Sequence, residues 1–182
     1  MKVLNKQELA LLKEQHDFLF FWGHQEKHPK TVTKACLSQW YPARFQVDGQ
    51  TYISAEQYMM AAKAKLFKDQ SVYDRILLET EQGKIKALGR QIKGFDETIW
   101  TLHRLEIVCE ANLAKFSQNP ALKNFLLNTG NRILVEASPV DFIWGIGLSH
   151  DAPEANNPDS WLGENLLGFC LMEVRRRLSQ AE

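Results

Sequence analysis

The apolar positions of this chain change their period several times, and each change predicts an element. Asn5 followed by Glu8 has the form of a capping box, which predicts a short helix to about His16. Residues 17–23, D-F-L-F-F-W-G, form a dense apolar run closed by glycine and read as a buried strand. Residues 24–37 are polar and lysine-rich, which predicts an irregular segment. R-F-Q-V-D-G-Q-T-Y-I then alternates around Asp48-Gly49 and predicts a hairpin with a two-residue type I′ turn.

Past the hairpin the period is mainly helical. Helices are predicted from Ala55, over Asp69 to Gln82, over Lys84 to Arg90, and over Asp96 to Phe116. Ile99, Leu102, Leu105, Cys109, Leu113 and Phe116 form the apolar stripe of the longest. Asn119-Pro120 opens a further helix as N-cap and first residue, and Gly130 closes it. R-I-L-V-E-A reads as a strand and residues 150–163 as a long polar loop. The last helix, Glu164 to Leu178, ends in Arg175-Arg176-Arg177, cations that suit its C-terminal dipole. The expectation is one α+β domain over 1–182, predominantly α-helical with a small β-hairpin or sheet and an N-terminal helical extension over 1–17.

The segment S-A-E-Q-Y-M-M-A-A-K-A-K-L-F, residues 54–67, departs from a simple amphipathic pattern. At 100 degrees per residue, Met60, Lys63 and Phe67 fall within about 40 degrees of Glu56, whereas Lys65 lands on the opposite face beside Tyr58. One acid and one base therefore share an apolar stripe. A first-turn glutamate favours any helix, by about 0.3–1 kcal/mol through the dipole. A lysine on such a stripe can extend its ammonium to water. Together, however, the two charges are costly to bury without partners. Two turns place their Cα atoms ~10.5 Å apart along the axis, which leaves room for a ribose-sized group.

Composition narrows the classes. Of 182 residues, 45% are hydrophobic and 24% charged, enough for a real core. Basic and acidic residues number 22 each, so broad salt-dependent binding to nucleic acid is not indicated, although a local phosphate pocket is compatible. Cys36, Cys109 and Cys170 sit widely spaced among apolar residues and read as buried thiols of a reducing compartment. No apolar run approaches the ~18–20 residues of a membrane span, and no signal-peptide core precedes the first helix, so the cytoplasm is the expected location.

Other constellations have both a structural and a functional reading. In V-D-F-I-W-G-I-G-L, Asp141 and Trp144 serve either as cap and core or as hydrogen-bonding and stacking partners of a sugar or base, with Gly145 permitting close approach. Asn165 either caps the last helix or contacts a ligand. Arg90, after Gly89, is either a solvated surface cation or a phosphate ligand. His24 and His28 resemble a metal pair only superficially, since Pro29 opposes a continuing helix; no metal site is expected. No glycine-rich phosphate loop, G-x-S-x-G or Cys-His signature is present.

Five ordered stretches carry a resemblance: L-S-Q-W-Y-P-A-R-F-Q-V-D-G, S-A-E-Q-Y-M-M-A-A-K-A, L-G-R, V-D-F-I-W-G-I-G-L and W-L-G-E-N-L-L-G-F-C-L-M-E-V-R. In them the chain resembles the NADAR superfamily, or YbiA-like proteins, named for a proposed link with NAD and ADP-ribose. The resemblance implies a mostly helical N-glycosidase with no cofactor. Its substrate would be a small phosphoribosyl or ADP-ribosyl molecule. Two kinds of substrate follow: phosphoribosylamino-pyrimidine intermediates of riboflavin synthesis, or ADP-ribosylated guanine; the remaining alternative is a non-catalytic module that binds ADP-ribose or NAD. Nucleic acid would be a partner only in the second case, as ADP-ribosylated DNA, and no membrane is involved. By position, Glu56, Lys63 and Asp141 match residues expected to be catalytic. Arg90, Trp144, Gly145 and Asn165 match expected substrate-binding positions, and Trp40 and Trp22 are further substrate-binding candidates. Relatives often carry His where this chain has Gln57, so no imidazole acts there, and Phe142 stands where many are basic.

Ribosyl C–N cleavage builds positive charge on C1′ and needs a protonated leaving nitrogen. A fixed carboxylate, Glu56 or Asp141, suits the first requirement. Lys63 suits the second, or binds phosphate, or attacks the ring-opened aldehyde as a neutral amine.

Overall fold

Asn5 does cap a helix: its side chain accepts from the Glu8 amide at 2.8 Å. The computed structural model describes residues 4–12, 17–26, 28 and 31–180. In chain order the elements are α1 (Lys6–Leu11), β1 (Phe18–Phe21), β2 (Phe45–Val47), β3 (Gln50–Tyr52), α2 (Ala55–Leu66) and α3 (Gln70–Leu78). There follow α4 (Gln82–Gly89), α5 (Glu97–Gln118), α6 (Pro120–Asn128), β4 (Ile133–Glu136) and α7 (Leu166–Gln180). Contacts divide the chain into two compact units, one of Met1–Ser38 with Ala121–Glu182 and one of Gln39–Pro120. The α+β class, helical with small sheets, is as expected.

In the first unit α1 is shorter than predicted. Leu12 already turns extended (φ −74°, ψ 112°), and the predicted run over 13–16 lies outside the described residues. Only Leu9 of α1 is buried, while Leu11 is 79% exposed. Leu12 is exposed as well, so the end of α1 gains no burial, and short helices are marginal without it. β1 and β4 pair in parallel, Phe18 opposite Ile133 and Phe21 opposite Glu136. α7 lies against β4 so closely that a Cβ on Gly168 would clash with the Leu134 carbonyl. Leu9, Val135, Ile146, Ala155, Trp161 and Phe169 form the buried cluster. The two segments predicted as irregular contain 3-10 turns, Lys34–Leu37 in one and Pro153–Asn156 with Pro158–Ser160 in the other. Each of the last two starts on a proline, whose fixed φ suits a first helical position.

In the second unit, Asp48 and Gly49 hold positive φ (50° and 79°), as a type I′ turn requires, and β2 and β3 pair antiparallel. Helix α2 is buried on all sides from Ala55 to Ala61 and packs against α3, α4 and α5. Its capping box is half formed. Ser54 Oγ accepts from the Gln57 amide (3.1 Å), but the Gln57 side chain reaches the Ile53 amide (2.9 Å) instead of Ser54. Gln57 Nε2 also donates to the Ile76 and Glu79 carbonyls, both at 3.0 Å, and so secures the end of α3.

The predicted stripe of α5 needs correction. Cys109 and Phe116 are buried, yet Leu102 is 75% exposed and Ile99 faces outward too. The inward face carries Trp100, Val108, Ala111, Asn112 and Lys115. The phase is set by Trp100, the largest apolar side chain of the first turns, and by the long Lys115 stem. Asn119 is not a simple cap of α6: its Nδ2 donates to the Lys115 and Arg44 carbonyls (2.8 and 3.0 Å), tying the end of α5 to the hairpin. Among the described residues no helix is long and apolar enough to cross a membrane.

Candidate active site

Of the nominated residues, Trp40, Glu56, Lys63 and Arg90 belong to the second unit. Glu56 occupies the first turn of α2, where its amide donates to the Gln39 carbonyl (3.0 Å), and its side chain is 3% exposed. Trp40 follows Gln39 directly and is half-buried. Lys63 lies two turns along α2, half-buried, and Lys65 is exposed with its ammonium 4.9 Å over the Tyr73 ring. The two lysines thus have separate environments, as the helical wheel indicated.

Lys63 is held from three sides. Its Nζ donates to the Gly89 carbonyl (3.2 Å) and lies 4.1 Å from the Phe95 ring centroid and 5.4 Å from that of Trp100. Ring faces and a carbonyl favour the ammonium form. Burial is the larger influence and draws its pKa below the ordinary lysine value; Glu97 opposes this, Arg90 reinforces it and Glu56 opposes it. Arg90, exposed at the C-terminal cap of α4, is therefore an electrostatic neighbour of Lys63. The structure brings Lys63 and Arg90 together through Gly89. A Cβ on Gly89 would run into the Met60 sulfur, and Met60 lies between Glu56 and Lys63 on the stripe. The glycine lets α4 approach that face closely.

The remaining nominated residues belong to the first unit. Asp141 Oδ1 accepts from the amides of Ile143 (2.9 Å) and Trp144 (2.8 Å), so the carboxylate shapes the turn that presents Trp144. Gly145 is buried, and its carbonyl accepts from the Asn165 amide (3.1 Å). Asn165 is fully buried with positive φ (53°). Its Oδ1 accepts from the Glu136 amide and its Nδ2 donates to the Leu134 carbonyl, both at 3.0 Å. Its side chain joins β4 to the start of α7 rather than capping the helix. Trp22, 60% exposed, borders a groove of about 540 Å³ shared with His24, His28, Thr31, Thr33 and Lys34. Asp141, Trp144, Gly145 and Asn165 do not line that groove.

Sequence reasoning missed Phe95, Trp100 and Glu97, which together set the chemistry of Lys63. Aromatic residues bracketing Asp96-Glu97 at the start of α5 were the available signal, but nothing local aims them at α2. Lys86, whose ammonium lies 5.8 Å over the Trp40 ring, was missed as well.

The NADAR domain profile matches residues 20–179 and so extends over both units. The chain belongs to the NADAR domain family. An N-glycosidase of Acanthamoeba polyphaga mimivirus is 44% identical over 92% of this chain and 99% of its own length. A riboflavin biosynthesis protein of Vibrio vulnificus is 28% identical over 89% of this chain, which spans 39% of that relative. The NMR structure of the Escherichia coli protein YbiA matches with a TM-score of 0.69 and 24% identity, covering 93% of this chain and 91% of that one, and shares the fold. For this NADAR chain, Gln57 is the position where the resemblance leads one to expect histidine. Its amide is engaged with Ile53, Ile76 and Glu79.

Proposed function

We infer that this chain hydrolyses an N-glycosyl bond, and we propose that the bond is the ribosyl C–N bond of phosphoribosylamino-pyrimidines, with ribose 5-phosphate as a product. The observation that carries the proposal is the pairing of buried Glu56 with half-buried Lys63 on one helix face, in a NADAR chain whose relatives are named N-glycosidases. The riboflavin biosynthesis name of one relative supports the pyrimidine substrate. In this reading the Glu56 carboxylate stabilises the positive charge developing on C1′ and takes a proton from the attacking water. The C1′–N bond breaks, and its electron pair goes to the base nitrogen, which Lys63 protonates. Alternatively, the sugar ring opens to a C1′ imine of the base nitrogen, and the neutral Lys63 amine adds to C1′. The C1′–N bond breaks as the base amine leaves with the proton from lysine, and water hydrolyses the remaining lysine imine to ribose 5-phosphate and free amine. The lowered pKa of Lys63 supports either role, since it eases proton donation and enlarges the neutral fraction. Arg90 holds phosphate, and Trp40 is proposed as a binding residue. Asp141 is the other nominated carboxylate, with Trp144, Gly145, Asn165 and Trp22 proposed as binding residues.

The test is parallel incubation with phosphoribosylamino-pyrimidines, ADP-ribosylated guanosine DNA and NAD, with products read by mass spectrometry. Release of ribose 5-phosphate from the pyrimidines is expected. Glu56→Gln and Lys63→Ala should each abolish it in folded protein, and full turnover by either removes that residue from the assignment. Asp141→Asn, assayed alongside, decides which carboxylate acts as base. Borohydride added during turnover should trap a protein adduct if the imine route operates; no adduct favours proton donation. Binding without cleavage of any substrate would make the chain a ligand-binding module.

A further inference from the structure

Helix α4 runs parallel to α2, as three contacts establish. Ser54 Oγ donates to Gln82 Oε1 (2.8 Å) at the start of both helices. Met60 fills the space over Gly89, and Lys63 Nζ donates to the Gly89 carbonyl at the far end. Whatever α4 presents beside this contact therefore runs alongside the face from Glu56 to Lys63. Lys86 and Arg90 stand one turn apart on α4, ~6 Å along its axis, and so share a side. The half-buried Lys86 is held over Trp40, which follows the Gln39 carbonyl bound by the Glu56 amide. Lys86 is thereby fixed toward the Glu56 end, and Arg90 toward the Lys63 end. The Gly89 carbonyl, which would otherwise repel an anion at this helix terminus, carries the Lys63 ammonium.

We propose that Lys86 and Arg90 form a two-cation receptor for the phosphate groups of a phosphorylated ribosyl ligand, with Lys86, against Trp40, as the binding residue that no motif indicated. The proposal rests on the N-glycosidase reading only for the ribosyl part of the ligand; the phosphate part stands on the cations themselves. A surface lysine completing the α4 dipole would need neither an aromatic support nor alignment with the Glu56–Lys63 face. One phosphate and a pyrophosphate offer the same oxyanion chemistry, and two cations a turn apart can grip either.

The experiment is calorimetric titration of ribose 5-phosphate, ADP-ribose and unphosphorylated ribose into the wild-type chain, Lys86→Met, Lys86→Arg and Arg90→Met. Methionine keeps the contact with Trp40 and removes the charge. Lys86→Met is expected to weaken both phosphorylated ligands by about 10- to 100-fold, as loss of a charge-assisted contact does, with the melting temperature unchanged. Lys86→Arg should recover most of that loss, and the affinity for wild type should fall steeply with added salt. A larger loss for ADP-ribose than for ribose 5-phosphate identifies a pyrophosphate receptor; equal losses identify a single phosphate. Unchanged affinity in folded Lys86→Met overturns the proposal, as does a wild type that binds neither phosphorylated ligand. Binding that depends on Lys86 without any turnover would keep the receptor and remove the glycosidase. Turnover with an unaltered KM in Lys86→Met would do the reverse.

Discussion

Replacing Gly168 by alanine sets local and tertiary physics against each other with opposite signs. Alanine in a helix is favoured over glycine by about 1 kcal/mol, so propensity alone predicts a more stable chain. The packing predicts the reverse. A Cβ at position 168 would overlap the Leu134 carbonyl oxygen and stand 2.5 Å from Asn165 Nδ2 and 2.6 Å from Asn165 Oδ1. The obstacle is strand backbone and a fully buried side chain, neither of which can swing away. Helix α7 must withdraw from β4 or Asn165 must release its bonds to Leu134 and Glu136. Overpacking costs about 1–3 kcal/mol, and each lost bond about 0.5–1.5 kcal/mol. With the strain and the loss of both bonds, and after the propensity gain, the net destabilisation is about 1–5 kcal/mol, or roughly 3–15 °C for a chain of this size. Urea unfolding should show a lower midpoint with an unchanged slope, checked by a thermal melt. A double-mutant cycle with Asn165→Ala should be non-additive, because both changes break the same bonds. An unchanged or raised midpoint in Gly168→Ala would refute the reasoning.

Three further outcomes are expected. Gln57→Ala should destabilise the chain by about 2–4 kcal/mol in chemical denaturation, since it deprives Ile53, Ile76 and Glu79 of a buried partner, while activity per folded molecule persists. Arg176 and Arg177 beside Glu173 hold its carboxyl at about 2, against an ordinary 4.5; its stabilisation is therefore complete above 4.5 and lost as pH falls from there toward 2. Glu173→Gln should remove about 1 kcal/mol at neutral pH, a figure discounted for the half-exposed arginines, and flatten the acid limb of a stability-against-pH curve. If Lys63 works as a neutral amine, turnover should rise with pH and level off below the ordinary lysine pKa; Arg90→Met removes one influence lowering that pKa, so the limb should move to higher pH, as rate–pH profiles in saturating substrate would reveal.

Much of the chain was legible from local rules because local physics decides those features. The Asp48-Gly49 turn and the Asn5 cap depend on residues within a few positions of one another. The phase of α5 was misread because hydrophobicity alone weights Ile99 and Leu102 equally with Trp100. Which side turns inward is decided by what packs there, and Asn112, hydrogen-bonded to Gln39 at 2.7 Å, belongs to that side.

The same division holds for the candidate site. Helical geometry alone, 100 degrees per residue, places Glu56 and Lys63 on one face and Lys65 on another. Family membership is also a property of the sequence, since motif order and spacing carry it. Only the tertiary structure surrounds Lys63 with Phe95, Trp100 and the Gly89 carbonyl, and it alone sets α4 parallel to α2 with Lys86 over Trp40. The neighbours of Lys63 come from α4, α5 and the turn before α5, some 20 to 40 positions away along the chain, and the approach of α4 depends on the shape of Gly89 against Met60. A helical wheel records direction but not distance, and the protonation of a lysine depends on distance.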